Sequence, residues 1–147
     1  MMGLAELPIT LVTAGGAALI NVWLAFRIGQ ARRASGVFVG DGGDERLVRR
    51  MRAQANFVEY APFILILIGL IELTEGPSLW LWIASVAFLI ARVLHPFGMD
   101  GVRWCRMTGA SVTVLLLAGL GLYAVITPLT EGAGGQPHTI EVGPPQG

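Results

Sequence analysis

The sequence predicts an all-α integral membrane protein, a bundle of four transmembrane helices, and three observations carry that expectation. Hydrophobic residues make up 54% of the 147 residues and charged residues only 14%, against roughly a quarter charged in soluble domains. The apolar residues fall into four long blocks, each ended by its own breaker, and runs of about 20 residues are what a hydrocarbon core about 30 Å thick requires. All ten basic residues are arginine, and they cluster after the first and third blocks. A soluble globular enzyme does not fit this composition. The ten arginines balance ten acids, so net charge itself says nothing about partners, and no nucleic-acid partner is expected. One cysteine, Cys105, excludes an intramolecular disulfide, and His95 and His138 alone supply no zinc-type ligand set, so no metal is expected.

Helix one is expected over about residues 7–26, an apolar run interrupted only by Thr10, Thr13, Asn21 and the Gly15-Gly16 pair. No basic residue precedes it, whereas a secretory signal would carry a basic start and a shorter core, so it reads as a retained span with an external N-terminus. Helix two is expected over 45–73. Asp44 is a suitable N-cap, the segment from Glu45 to Tyr60 contains no breaker, and Thr74-Glu75-Gly76-Pro77 closes the helix. Helix three, 79–95, opens with Trp80 and Trp82 at headgroup level and is expected to end at Pro96 and Gly98. Helix four, 106–127, follows Arg103 and Arg106 and is expected to stop at Pro128. The transmembrane domain is thus 1–130, and 131–147, rich in Gly and Pro, is expected to be a disordered tail. By the positive-inside rule the arginine-rich connections are cytoplasmic and both termini are outside. Gly40-Asp41-Gly42-Gly43-Asp44 lacks the periodicity of a calcium or phosphate loop and reads as a flexible turn capping helix two. Arg32, Arg33, Arg49 and Arg50 are expected to reach the headgroups of anionic membrane lipids.

Polar residues continue from this arginine-rich end into the bilayer. Arg49, Arg52, Asn56 and Glu59 are spaced by three, four and three residues, so they share one helix face, with Tyr60 beside them. Glu59 lies about one turn inside an apolar run, where an unpartnered carboxylate costs a few kcal/mol, so its face is not expected to point at lipid. Two readings stay open. The stripe is either helix-to-helix glue, with Glu59 held by another arginine, or a polar ligand site. On helix three, Arg92 and His95 sit one turn apart at the same end, and on helix four Arg103 or Arg106 is placed to reach the same level. Several arginines, an asparagine and a glutamate at one depth suit a small zwitterion with several carboxylates, because guanidinium pairs with carboxylate bidentately. An arginine beside a ligand thiol would favour the nucleophilic thiolate.

The segment Arg52-Ala-Gln-Ala-Asn56-Phe-Val-Glu59-Tyr60-Ala-Pro62 resembles the signature of the MAPEG family, the membrane-associated proteins of eicosanoid and glutathione metabolism. The resemblance continues through Ala91-Arg92-Val-Leu-His95-Pro-Phe-Gly98 and Arg106, covers all four helices, and is closest to the bacterial branch. It implies a homotrimer of four-helix protomers in the bacterial inner membrane, with glutathione as co-substrate bound between neighbouring protomers near the cytoplasmic side. It further implies that Arg52, Gln54, Asn56, Glu59 and Tyr60 hold glutathione, that Arg92 and His95 line the same cleft, and that Arg106 stabilises the thiolate. Met99 stands where several eicosanoid enzymes of the family carry a tyrosine, and Ala55 where the prostaglandin-synthase branch carries an arginine. Both departures argue against an eicosanoid synthase.

The expected function is therefore a glutathione-dependent transferase or peroxidase that takes a lipophilic electrophile or lipid hydroperoxide from the bilayer. The alternatives are a noncatalytic relative and a small multidrug transporter. The transporter is disfavoured, because such proteins carry their coupling carboxylate in helix one, and the run from Leu7 to Phe26 contains no charge.

Overall fold

The computed structural model describes residues 7–132 and folds them into four helices, α1 (Pro8–Ser35), α2 (Glu45–Glu75), α3 (Leu79–Met99) and α4 (Arg103–Gly132). All four are long and apolar enough to cross a membrane, so the chain is an integral membrane protein built as a four-helix bundle. Four crossings leave both ends of the described chain on one side and put the α1–α2 and α3–α4 connections, with their arginines, on the other.

Helices α1, α3 and α4 run past their expected bounds. α1 does not stop where its apolar run stops at Phe26 but continues to Ser35, because a change to polar residues does not break a helix. Gly36 ends it, in the left-handed conformation at φ 70°. α3 continues through Pro96 to Met99, because a proline in the last turn removes a single backbone donor. The Asp100 N–H then closes the end onto the carbonyls of Pro96 and Phe97, each at 3.2 Å. α4 starts earlier, at Arg103, and contains Pro128. Its last two residues belong to the expected tail, and the remainder of that tail lies outside the described residues. α2 begins as expected, with Asp44 Oδ1 accepting the N–H groups of Arg46 at 2.8 Å and Leu47 at 3.0 Å.

The core runs along the bundle through Ile20 and Leu24 of α1, Phe57, Ile64 and Ile68 of α2, and Phe88 of α3. The outward faces carry exposed Leu, Val, Ile and Phe side chains, as a lipid-facing surface requires. α3 packs most extensively on α4 and α1 on α2, while α1 and α4 stand apart.

One buried group at the end opposite the arginines was passed over as part of an apolar run. Glu72, 1% exposed, accepts the backbone N–H of Ile9 at 2.8 Å, that of Thr10 at 2.7 Å and the Thr10 hydroxyl at 2.6 Å. The first turn of a helix has N–H groups with no partner in the helix itself, and its dipole favours a negative charge there. Leu7, at the N-cap of α1, has no polar side-chain atom to offer, so α2 supplies the cap across the bundle. Nearby, Thr13 Oγ1 lies 2.9 Å from Ser85 Oγ and joins α1 to α3.

Candidate functional site

Toward the arginine-rich end, Arg92 is the centre of the polar residues between α2, α3 and α4. It is 1% exposed. Its Nη2 donates to Asn56 Oδ1 of α2 at 2.7 Å and its Nη1 to Thr113 Oγ1 of α4 at 3.2 Å, while Thr113 donates to the Gly109 carbonyl at 2.7 Å. The guanidinium carbon lies 5.7 Å from the centre of the Phe57 ring. Charge-assisted bonds of this kind fix geometry in a low-dielectric interior. Because Asn56 spends its carbonyl on Arg92, its side-chain amide is left to donate elsewhere.

His95 follows one turn later on α3 and is 5% exposed, and its Nδ1 has no hydrogen-bond partner. Two glycines let α4 come this close. A Cβ on Gly109 would stand 2.8 Å from the Ala91 carbonyl oxygen, and one on Gly98 would collide with the backbone of Arg106. The collision site places Arg106 against the end of α3, with its own side chain exposed.

On α2, Arg52 and Glu59 point out of the bundle and are exposed, Asn56 and Tyr60 are half-buried, and Ala53 and Phe57 face the core. Among the described residues Glu59 makes no ion pair within its own chain, so the glue reading, in which another arginine holds it, finds no such partner there. Gln54 stands apart from this group. It lies two residues from Arg52, a spacing that puts side chains on different helix faces, and its Nε2 donates to Asn21 Oδ1 of α1 at 3.2 Å. There it borders a shallow recess of about 390 Å³ with Ile28, Arg32, Met51, Ala55 and Val58. The structure thus gathers Asn56 and Arg92, sets His95 and the Arg106 backbone beside them, leaves Arg52 and Glu59 on the outer surface, and places Gln54 on the α1 side.

Thr113 is a residue that sequence reasoning missed. Its signal was its place seven residues after Arg106, on the same face of α4 as Gly109 and Arg106. The arginines of the expected headgroup set also divide. Arg50 is buried rather than lipid-facing and donates from Nη1 to the Arg27 carbonyl at 2.6 Å. Arg27 is buried too, paired with Asp100 and flanked by the rings of Trp23 at 5.0 Å and Phe97 at 5.8 Å. Arg32 braces the following loop through the carbonyls of Val37 and Gly40.

The MAPEG family model matches residues 10–126. Inner membrane protein YecN of Escherichia coli strain K12 is 30% identical over 98 residues, which is 65% of this chain and 74% of that protein. YecN of Escherichia coli O6:H1 shows the same identity and coverage.

Proposed function

Because the chain belongs to the MAPEG family, we propose that it is a glutathione-dependent transferase or peroxidase of the bacterial inner membrane, acting on lipophilic electrophiles or lipid hydroperoxides. The observation that carries this reading is the outward placement of Arg52 and Glu59 on a membrane-spanning helix, with no ion pair among the described residues. A carboxylate left facing hydrocarbon costs about 3 kcal/mol on insertion scales. A neighbouring protomer and a zwitterionic ligand together remove that cost. In a homotrimer, the α1 side of one protomer, with Gln54 and Arg32, would close over the Arg52 and Glu59 side of the next.

Glutathione offers two carboxylates, an ammonium and a thiol. Arg52 is suited to a carboxylate, Glu59 to the ammonium, and the free amide of Asn56 to a further acceptor, with Tyr60 and His95 lining the same cleft. Arg92 acts through Asn56 by holding its orientation. Arg106, on the cytoplasmic side of this arrangement, favours the thiolate. In transfer, the thiolate sulfur bonds to the electrophilic carbon and the leaving group departs with its electron pair. In reduction, the thiolate attacks a hydroperoxide oxygen, the O–O bond breaks, and the released alkoxide takes a proton. A second glutathione then converts the sulfenic product to disulfide and water.

The test is calorimetric titration of detergent-solubilised protein with glutathione. Saturable binding that is lost in both Glu59→Gln and Arg52→Ala supports the site, and no binding at millimolar glutathione refutes it. A second reading, binding without turnover, is favoured by Met99, which stands at the end of α3 where related enzymes carry a tyrosine. Arg106→Ala separates the two. The transferase reading expects turnover with a model electrophile to fall about tenfold or more, the equivalent of one pKa unit of lost thiolate stabilisation. Unchanged turnover rules out the thiolate role.

A further inference from the structure

At the arginine-rich end of the bundle, Arg46, Arg49, Arg50 and Asp100 line a recess of about 270 Å³ between α2 and the end of α3. None of these residues is assigned to glutathione. The recess is several times the roughly 30 Å³ that a water takes up in the liquid, so it has room for a small polyatomic anion together with water.

Its charge is unbalanced. The salt bridge of Asp100 is with Arg27, and among the described residues Arg46, Arg49 and Arg50 have none, so three guanidinium groups share the recess with one carboxylate already paired. Arg50 is the most telling of the three. It is 9% exposed, its guanidinium makes one hydrogen bond, to the Arg27 carbonyl, and its Nε has no partner. A buried cation with donors to spare is costly unless an acceptor arrives from outside. Arg46 and Arg49 are exposed at the rim, so they are free to close on such an acceptor.

The geometry points to a binding site for a phosphate group in this recess, gripped by Arg46 and Arg49 from the rim and by Arg50 from the wall. Guanidinium forks match phosphate oxygens bidentately. The three arginines belong to the first two turns of α2, ahead of the apolar run that begins at Phe57, which is the level of the membrane–water interface. Two sources carry the same chemistry there, the headgroup of an anionic phospholipid and free inorganic phosphate.

The experiment has two arms. Detergent-solubilised protein is titrated with inorganic phosphate by calorimetry. In parallel, protein reconstituted with phosphatidylcholine and phosphatidylglycerol is returned to detergent and washed, and the retained phosphatidylglycerol is counted by mass spectrometry. The Arg46→Gln/Arg49→Gln variant is compared with Arg33→Gln/Arg103→Gln, which removes the same charge from the same end of the bundle at exposed positions away from the recess. The expected result is binding in one arm by the wild type and the second pair, weakened about tenfold or more in the first pair, which loses both charge-assisted contacts from the rim. Saturable phosphate binding identifies the free anion as the source, and selective retention of phosphatidylglycerol identifies the headgroup. Equal losses in both variant pairs would mean that general charge attraction is responsible and would overturn the site, as would a wild type that holds neither ligand.

Discussion

Replacing Glu72 with glutamine tests the cross-bundle cap of α1 with little change in shape. The carboxylate accepts three hydrogen bonds, from the N–H groups of Ile9 and Thr10 and from the Thr10 hydroxyl. A glutamine keeps one acceptor oxygen and turns an amide N–H toward a remaining donor, so at least one backbone N–H loses its partner in a 1% exposed site. Hydrogen bonds to charged groups are worth about 1.5–3 kcal/mol, although polar contacts measured between membrane helices average nearer 0.6. The favourable placement of a negative charge at a helix N-terminus adds about 0.3–1 kcal/mol. Together these give a loss of about 2 kcal/mol, or roughly a 30-fold rise in the opening equilibrium of the first turn of α1. Hydrogen–deuterium exchange in micelles reads this directly, in a peptide spanning the start of α1 compared with peptides from α3. The expected result is faster exchange at the start of α1 alone. Unchanged exchange there would refute the capping role, and a uniform rise in every helix would mean that Glu72 supports global stability and not this helix end. Thr10→Ala removes one of the three bonds and should give a smaller effect in the same peptide.

Other consequences follow from the same geometry. Gly98→Ala forces a Cβ against the backbone of Arg106 and should cost about 1–3 kcal/mol, whereas Gly119→Ala meets open space and should be neutral or stabilising through helix propensity; thermal unfolding in detergent compares the two. Arg92→Leu frees Asn56 and should weaken glutathione binding by about tenfold, while Thr113→Val leaves the Asn56 bond intact and should weaken it less; equal calorimetric affinities for wild type and Arg92→Leu would show that Arg92 serves packing alone. Asp100→Asn leaves the 8% exposed Arg27 without its counter-ion. Because the Asp100 carboxylate is 36% exposed, the loss should be about 1 kcal/mol, well below that of a fully buried pair.

What the sequence reveals here depends on whether the physics is local. The four spans and the Asp44 cap follow from run length and one side chain, and both are present in the structure; the spacing of Arg52, Asn56 and Glu59 put them on one side of α2, but it could not show that Asn56 turns inward to Arg92 while the other two stay exposed. The prolines misled because their effect depends on position. Near the ends of α3 and α4 each removes only one backbone bond, and the helix continues past it. The burial of Arg27 and Arg50 was illegible for another reason. An arginine beside the membrane reads the same in sequence whether it meets lipid or a partner, and the partner here, Asp100, is 73 residues from Arg27.

The contrast between Glu59 and Glu72 shows how to sort intramembrane carboxylates. Both belong to α2, thirteen residues apart, so they lie about 20 Å apart along the axis and, at 100° per residue, on well separated faces. Hydropathy treats them alike. Glu72 points inward, and every hydrogen bond its carboxylate accepts comes from α1, so its charge is already stabilised within the single chain and its loss is a matter of stability. Glu59 points outward with no ion pair among the described residues, so under the proposed function its charge is balanced by the ligand and the neighbouring protomer. Glu72→Gln should therefore loosen α1 and spare ligand affinity, whereas Glu59→Gln should abolish ligand binding and leave the helices as stable as before or more so. A Glu59→Gln protein that loses stability to the same extent as Glu72→Gln would mean that the outward carboxylate is structural after all, and the proposed glutathione site would lose its main support.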